Sequence, residues 1–219
     1  MDQALRDRLL YRRQYLYGPR VEGFESWQRA TLPDACELAV HPDLELTQVA
    51  EGENTLVLLG YMLDPNDVQA DNRQILVNLL KGSPTSQDLL GKLDRVAGRY
   101  VLFVYWATEH FVLIDAAGMR QVFYARDRKG QFWLAAQPGL LEQQLGLEYS
   151  PDARAFLESP VIQQSHEPWW PGISTPFETV EHLLPNHLLN LESGLVARYW
   201  PVKPITRWID QGRRICDLV

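Results

Sequence analysis

Cysteine is scarce in this chain. Cys36 and Cys216 are the only two among 219 residues. They stand far apart, outside any C-x-x-C or Cys/His ligand spacing, which argues against a disulfide framework and fits a reducing, cytoplasmic setting. Positive charge is also short: 21 Lys and Arg against 28 Asp and Glu leave a formal net charge of -7. A general nucleic-acid surface would need the opposite balance to neutralise phosphates. A local basic patch stays open. No apolar run approaches the length of a membrane span. The opening stretch MDQALRDRLLYRR carries charge throughout and lacks the apolar centre of a secretory signal. Internal repeats and low-complexity segments are absent as well.

What the chain does have is an ordinary globular composition, 46% hydrophobic and 22% charged, with length enough for a substantial core. Leu5, Leu9 and Leu10 give residues 4–15 a helical spacing that leads into a strand at Tyr15–Tyr17. Residues 24–38 show no regular pattern. A hairpin follows: a near-alternating run with Leu44, Leu46 and Val49, a turn at 51–54, and the apolar strand TLVLLGYML, ended by Asp64-Pro65-Asn66-Asp67. Helices are expected over 72–80 and about 86–96, each with a leucine-rich face that packs a core. From Arg99 the segments RYVLFVYW, HFVLID, RQVFYA and GQFWLAA read as an antiparallel meander. A short helix at 140–145 follows. Another opens with Ser150 as N-cap and Pro151 in its first turn. After the loop HEPWWPGISTP, three more strands appear in TVEHLLP, HLLNLE and LVARYW. Strands and helices are segregated, which excludes a doubly wound parallel sheet. It predicts an α+β architecture of two packed antiparallel sheets with helices outside.

The order of the short motifs resembles the N-terminal glutamine-amidotransferase domain of the asparagine synthetase family. The matching stretches are LLGYMLD with Gly60, ADNRQIL with Asp71, VAGRYVLFVYW with Gly98, DAAGMRQVFY with Asp115 and Gly118, GQFWLAAQPGLL, and VEHLLPNHLLNLESGLVARYW with Pro185. They run from about Leu44 to Trp200 in the family's order. Asn186 follows Pro185 where the family usually has glycine, and the region before Leu44 matches poorly. The resemblance implies a class II, Ntn-hydrolase-like fold, a four-layer αββα sandwich. It implies a domain at 1–200, with 201–219 as a linker or the start of a missing synthetase domain.

It also implies a chemistry that this sequence does not carry. The family hydrolyses glutamine with a cysteine exposed at the mature N-terminus, whose own α-amino group acts as base. Residue 2 here is Asp2, with neither thiol nor hydroxyl. The family's oxyanion hole uses an Asn side chain and the following Gly N–H, and Leu59 stands where the Asn would be. Loss of one such donor costs about two to three orders of magnitude in rate. Cys36 lies only 24 residues before Gly60 and reads as a buried small hydrophobe. Asp71 reads either as a helix-start acid or as the aspartate that holds the amino group of glutamine. Gly60 and Asp71 are the remnant ligand-binding candidates. Gly98, Asp115, Gly118 and Pro185 are scaffold, Gly118 as a tight turn within a sheet. No arginine matches the one that would hold the glutamine carboxylate.

The expectation is a degenerate amidotransferase-like domain with a structural or regulatory role beside an ATP-dependent amide-forming synthetase domain, in cis or in trans. ATP and magnesium belong only to that missing domain, since no S-G-G-x-D-S loop occurs here. No cofactor or metal is expected in this chain; His182 and His187 flank Pro185 without a carboxylate cluster. A homo-oligomer is allowed; nucleic acid and membrane are not expected partners. Two alternatives stay open: a small-molecule module using the remnant glutamine pocket with Trp169 and Trp170 as a lid, and an active glutamine hydrolase with an unrecognised nucleophile.

Overall fold

The computed structural model describes residues 9–107, 109–164, 170 and 172–201. Twelve strands occur among them: β1 (Tyr15–Gly18), β2 (Gln28–Thr31), β3 (Glu37–Val40), β4 (Leu46–Glu51), β5 (Asn54–Leu63), β6 (Ala97–Trp106), β7 (Glu109–Ile114), β8 (Phe123–Arg126), β9 (Phe132–Ala135), β10 (Glu181–His182), β11 (His187–Asn190) and β12 (Val196–Arg198). The helices are α1 (Asn72–Lys81), α2 (Ser86–Leu93), α3 (Pro138–Leu145), α4 (Pro151–Leu157) and α5 (Pro160–Gln163). The strands form two antiparallel sheets. One runs β10-β8-β9-β1-β3-β2 and the other β12-β11-β7-β6-β5-β4.

Strand alternation builds the layers. On β5, Val57 and Leu59 face the other sheet while Leu56 and Leu58 face the helices. On β6, Val101, Phe103 and Tyr105 face inward, and Tyr100, Leu102 and Val104 face outward. One core therefore lies between the sheets. A second joins the β4–β7 sheet to Ile75, Leu76, Leu79 and Leu80 of α1 and to Leu89 and Leu93 of α2. A third joins the β1–β9 sheet to Leu140 and Leu141 of α3. This is the expected four-layer sandwich, and strands buried on both faces explain the nearly unbroken apolar run of β5.

Helix starts follow the sequence signals. Asp71 caps α1 in a reciprocal box with Gln74, and Thr85 caps α2 with Asp88. Ser150 caps α4, with Pro151 in its first turn.

Three expectations need correction. Of the helix expected over 4–15, residues 4–8 lie outside the described residues and Leu9 is helical, but residues 10–13 turn, with Tyr11 and Arg13 at φ of 54° and 59°. The unpatterned stretch 24–38 holds β2 and the start of β3; β2 is too exposed to carry a burial period. The meander is split, with β6 and β7 in one sheet and β8 and β9 in the other. Gly118 therefore belongs to a crossing between sheets, not to a turn within one.

That crossing, residues 115–122, is organised by Asp115. Its buried carboxylate accepts backbone N–H bonds from Tyr100 (3.2 Å), Ala117 (3.2 Å), Met119 (3.0 Å) and Arg120 (2.9 Å). The second crossing, between β10 and β11, lies against it: a Cβ on Gly118 (φ 64°) would stand 2.7 Å from Pro185 Cγ. Asn186, in the family's glycine position, takes φ 63°, a left-handed conformation that asparagine tolerates better than most residues.

The far end of the inter-sheet core is closed by Asp34. Its Oδ2 accepts from Tyr17 (2.6 Å) and Tyr105 (3.0 Å), and its Oδ1 from the Cys36 N–H (3.0 Å). Burial pushes the Tyr17 and Tyr105 phenols well above the ordinary range, and neighbouring charge adds to it.

Two outcomes are expected. Asp115→Ala strands four backbone donors and costs about 3–5 kcal/mol of stability in chemical denaturation, whereas Asp115→Asn, which keeps one carbonyl acceptor, costs less. Alkaline pH destabilises the fold. Burial raises the phenols of Tyr15, Tyr17, Tyr100, Tyr105 and Tyr124, and raises Tyr199 to about 12. Above a pH of about 10 the unfolded chain sheds phenolic protons that the folded chain retains, so stability falls as pH rises. The denaturation midpoint should drop between about pH 9.5 and 11.5, and phenolate absorbance from these groups should appear only with unfolding.

Candidate functional site

Gly60 and Gly98 mark where β5 and β6 press together at the end of the sandwich. Met62 pairs with Gly98 and Gly60 with Tyr100. Gly60 has φ 104°, and a Cβ there would meet the Arg99 carbonyl oxygen at 2.2 Å; on Gly98 (φ 144°) it would meet the Tyr61 carbonyl at 2.3 Å. No side chain fits either position, so both glycines serve the close approach of backbone.

The backbone of Gly60 is fully engaged. Its N–H donates to the Glu45 carbonyl at 2.9 Å, extending the β4–β5 ladder. Its carbonyl accepts from Asn72 Nδ2 at 2.9 Å. Asn72 is the first residue of α1; its amide also donates to Glu45 Oε1 (2.7 Å) and accepts from the Met62 N–H (2.9 Å). This buried side chain ties the start of α1 to the strand at Gly60. Asp71, one residue earlier, accepts the Gln74 N–H at 2.8 Å, and its own N–H donates to Gln74 Oε1 at 2.8 Å. Leu59 is fully buried in the inter-sheet core.

Above Gly60 lies Arg120. Its Nε stands 3.2 Å from where a Gly60 Cβ would be, and its Nη1 donates to the Arg13 carbonyl at 3.0 Å. Arg13 and Gln14 lead directly into β1, so Arg120 is bonded at the entrance of that strand and lies over Gly60 without a hydrogen bond to it. Arg99, beside it, donates from Nε to the Met119 carbonyl at 3.0 Å. Burial pulls the Arg120 guanidinium below the usual arginine range, with the Arg99 charge acting in the same direction.

The structure thus brings Gly60, Gly98, Asp115, Gly118 and Pro185 to one end of the molecule, and sets Asp71 beside them as the cap of α1. Asp2 and Cys216 lie outside the described residues. Cys36 sits in the turn after β2, against Asp34 and near Tyr105, and burial pushes its thiol up. Tyr105 is five residues along β6 from Tyr100, roughly 17 Å at strand spacing, so Cys36 belongs to the opposite end from Gly60. His182 and His187 stand on strands of different sheets. His182 stacks on Phe123 with centroids 4.6 Å apart, and His187 Nδ1 contacts the Pro185 carbonyl at 2.9 Å. Among the described residues no group of three or more His, Cys, Asp or Glu could hold a metal ion, and no helix is long and apolar enough to cross a membrane.

Trp169 also lies outside the described residues. Trp170 packs edge-on to Phe156 and lines an open apolar pocket of about 260 Å³ with Phe123, Leu157 and Ile162. Phe123 packs against the core on the helix side of its sheet, so this pocket opens on that face and not between the sheets.

Sequence reasoning missed Arg13, Asn72, Arg99 and Arg120. The three arginines look like ordinary surface charges in the sequence. They meet only because a strand entrance, a strand end and a sheet crossing converge.

No family profile matches the chain, and no curated sequence is significantly similar to it. Solved structures do resemble it. One is described as the allosteric regulatory enzyme of purine biosynthesis: TM-score 0.50, 11% identity, covering 90% of this chain and 44% of that one. Another is a glutamine phosphoribosylpyrophosphate amidotransferase from B. subtilis, complexed with ADP and GMP: TM-score 0.48, 12% identity, covering 90% and 45%. The chain spans less than half the length of either. At this identity the likeness shows the fold alone: two antiparallel sheets in an α+β, Ntn-hydrolase-like sandwich.

Proposed function

We propose that this chain is a glutamine-amidotransferase-like domain that retains the sandwich and does not hydrolyse glutamine. It acts as a structural or regulatory domain beside an ATP-dependent, asparagine-synthetase-like domain that forms amide bonds, in cis or in trans. Residues 1–200 make the domain, and 201–219 lead toward that partner. ATP and magnesium belong to the partner.

The observation that carries the reading is Arg120, lying over Gly60 and held on the Arg13 carbonyl at the entrance of β1. In the resembled family this is where nucleophile and oxyanion hole must meet. Here the space holds a guanidinium, and the peptide chain enters β1 through Arg13 and Gln14. The stretch around that entrance, LLYRRQYLY, contains no Cys, Ser or Thr. A nucleophile with its own free α-amino group at β1 therefore has no residue to come from. The oxyanion hole lacks both parts, because Leu59 has no donor and the Gly60 N–H is already bonded to Glu45. The assignment to an asparagine-synthetase-like protein rests on the order of the short motifs.

A second reading has one observation in its favour. The pocket beside Trp170 offers apolar and aromatic walls to a small molecule. It would bind on the helix side of the sheet, not in the remnant glutamine site.

The test is ammonia release from glutamine by the full chain. None above the uncatalysed rate is expected. Steady release that disappears when residues 1–14 are altered would overturn the proposal.

A further inference from the structure

At the Gly60 end, β5 and β6 carry residues beyond the inter-sheet core. Alternation continues there, so Tyr61 and Arg99, paired across the strands, stand on the same face as Leu59 and Val101. Both are exposed, and so is Met119 of the adjoining crossing. Arg120 rises from that crossing and Arg13 from the entrance of β1. The result is a mouth that gathers Arg13, Arg99 and Arg120 beside the exposed face of Tyr61.

Among the described residues none of these cations forms an ion pair. The ion pairs of the described residues involve Arg12, Arg20, Arg29 and His110. Two carboxylates at this end are engaged with other groups: Asp115 with four backbone N–H groups, and Glu45 with the Asn72 amide. Arg120 Nε is buried without a hydrogen-bond partner. A buried donor left unmade costs about 1–3 kcal/mol, and clustered like charges repel one another. In a chain with net charge -7, three arginines gathered at one point without an ion pair among the described residues call for an explanation.

The arginines are also oriented. Arg120 is fixed through Nη1 on the Arg13 carbonyl, and Arg99 through Nε on the Met119 carbonyl. Backbone anchoring leaves terminal N–H groups of each fork without a hydrogen bond among the described residues and limits the entropy lost on binding. Guanidinium forks match carboxylate and phosphate oxygens in bidentate geometry.

We infer that the mouth formed by Arg13, Arg99, Arg120 and Tyr61 is an oxyanion-binding site that takes a carboxylate or phosphate group. The site uses the end of the sandwich where the remnant pocket lies, but it does not require that glutamine hydrolysis be lost. Ammonia release reports on that reaction, and anion binding reports on the site.

The experiment uses the full chain at low ionic strength, with inorganic phosphate and succinate as separate probes, followed by calorimetric titration and thermal melting. At tenfold saturation a bound anion should raise the melting temperature by about 2–5 °C. Arg13→Gln with Arg99→Gln, both exposed side chains, should weaken binding at least about tenfold. Arg128→Gln, an exposed arginine on the β8–β9 turn, should leave it unchanged. Binding of phosphate alone identifies a phosphoryl group as the ligand, and binding of succinate alone a carboxylate; binding of both supports a general oxyanion site. The inference is overturned if neither probe binds, if the double variant binds as the parent does, or if Arg128→Gln weakens binding equally.

Discussion

Four backbone N–H groups converge on the carboxylate of Asp115, and much of the molecule depends on that convergence. The chain must leave one sheet after β7 and enter the other at β8. A crossing through the edge of a core exposes donors that no ladder can satisfy. One buried side chain satisfies four of them. The Asp115 N–H also bonds to the Tyr100 carbonyl, which joins the crossing to the middle of the second sheet. Gly118 then allows the turn to close, and Pro185 of the other crossing packs on it. The relation between the two sheets is thus set locally, at the same end as Gly60.

That arrangement explains why the mouth has its composition. Met119 and Arg120 follow directly from the turn that Asp115 holds, so their positions are not free to vary with a mobile loop. Arg120 is drawn over Gly60 and reaches the carbonyl before β1. The end of the sandwich around Gly60 is thereby a packed and positively charged lip. The fold is that of a two-sheet sandwich, and the residues gathered at this end of it are arginines and a tyrosine.

Much of this was legible in the sequence, for identifiable reasons. The helix caps Asp71 and Ser150 and the double-faced strand around Leu56–Leu59 depend on neighbours within a few residues. Local pattern therefore reports them. The strand β2 was not legible, because its residues are mostly exposed and carry no burial period. The split of the meander was hidden for a different reason. β7 and β8 look like consecutive hairpin strands, and only long-range pairing decides which sheet each one joins. Asp115 was readable as a motif position, while its four bonds were not.

The sequence by itself determined the α+β class and the four layers. These follow from apolar periodicity and residue type, which need no partner to be read. Only the tertiary structure decided that Gly118 serves a crossing, that Trp170 lines a pocket on the helix side of its sheet, and that Arg13, Arg99 and Arg120 share one mouth. Those residues are separated by up to 107 positions in sequence. Their meeting depends on the register of two sheets and on the carboxylate that holds the chain between them.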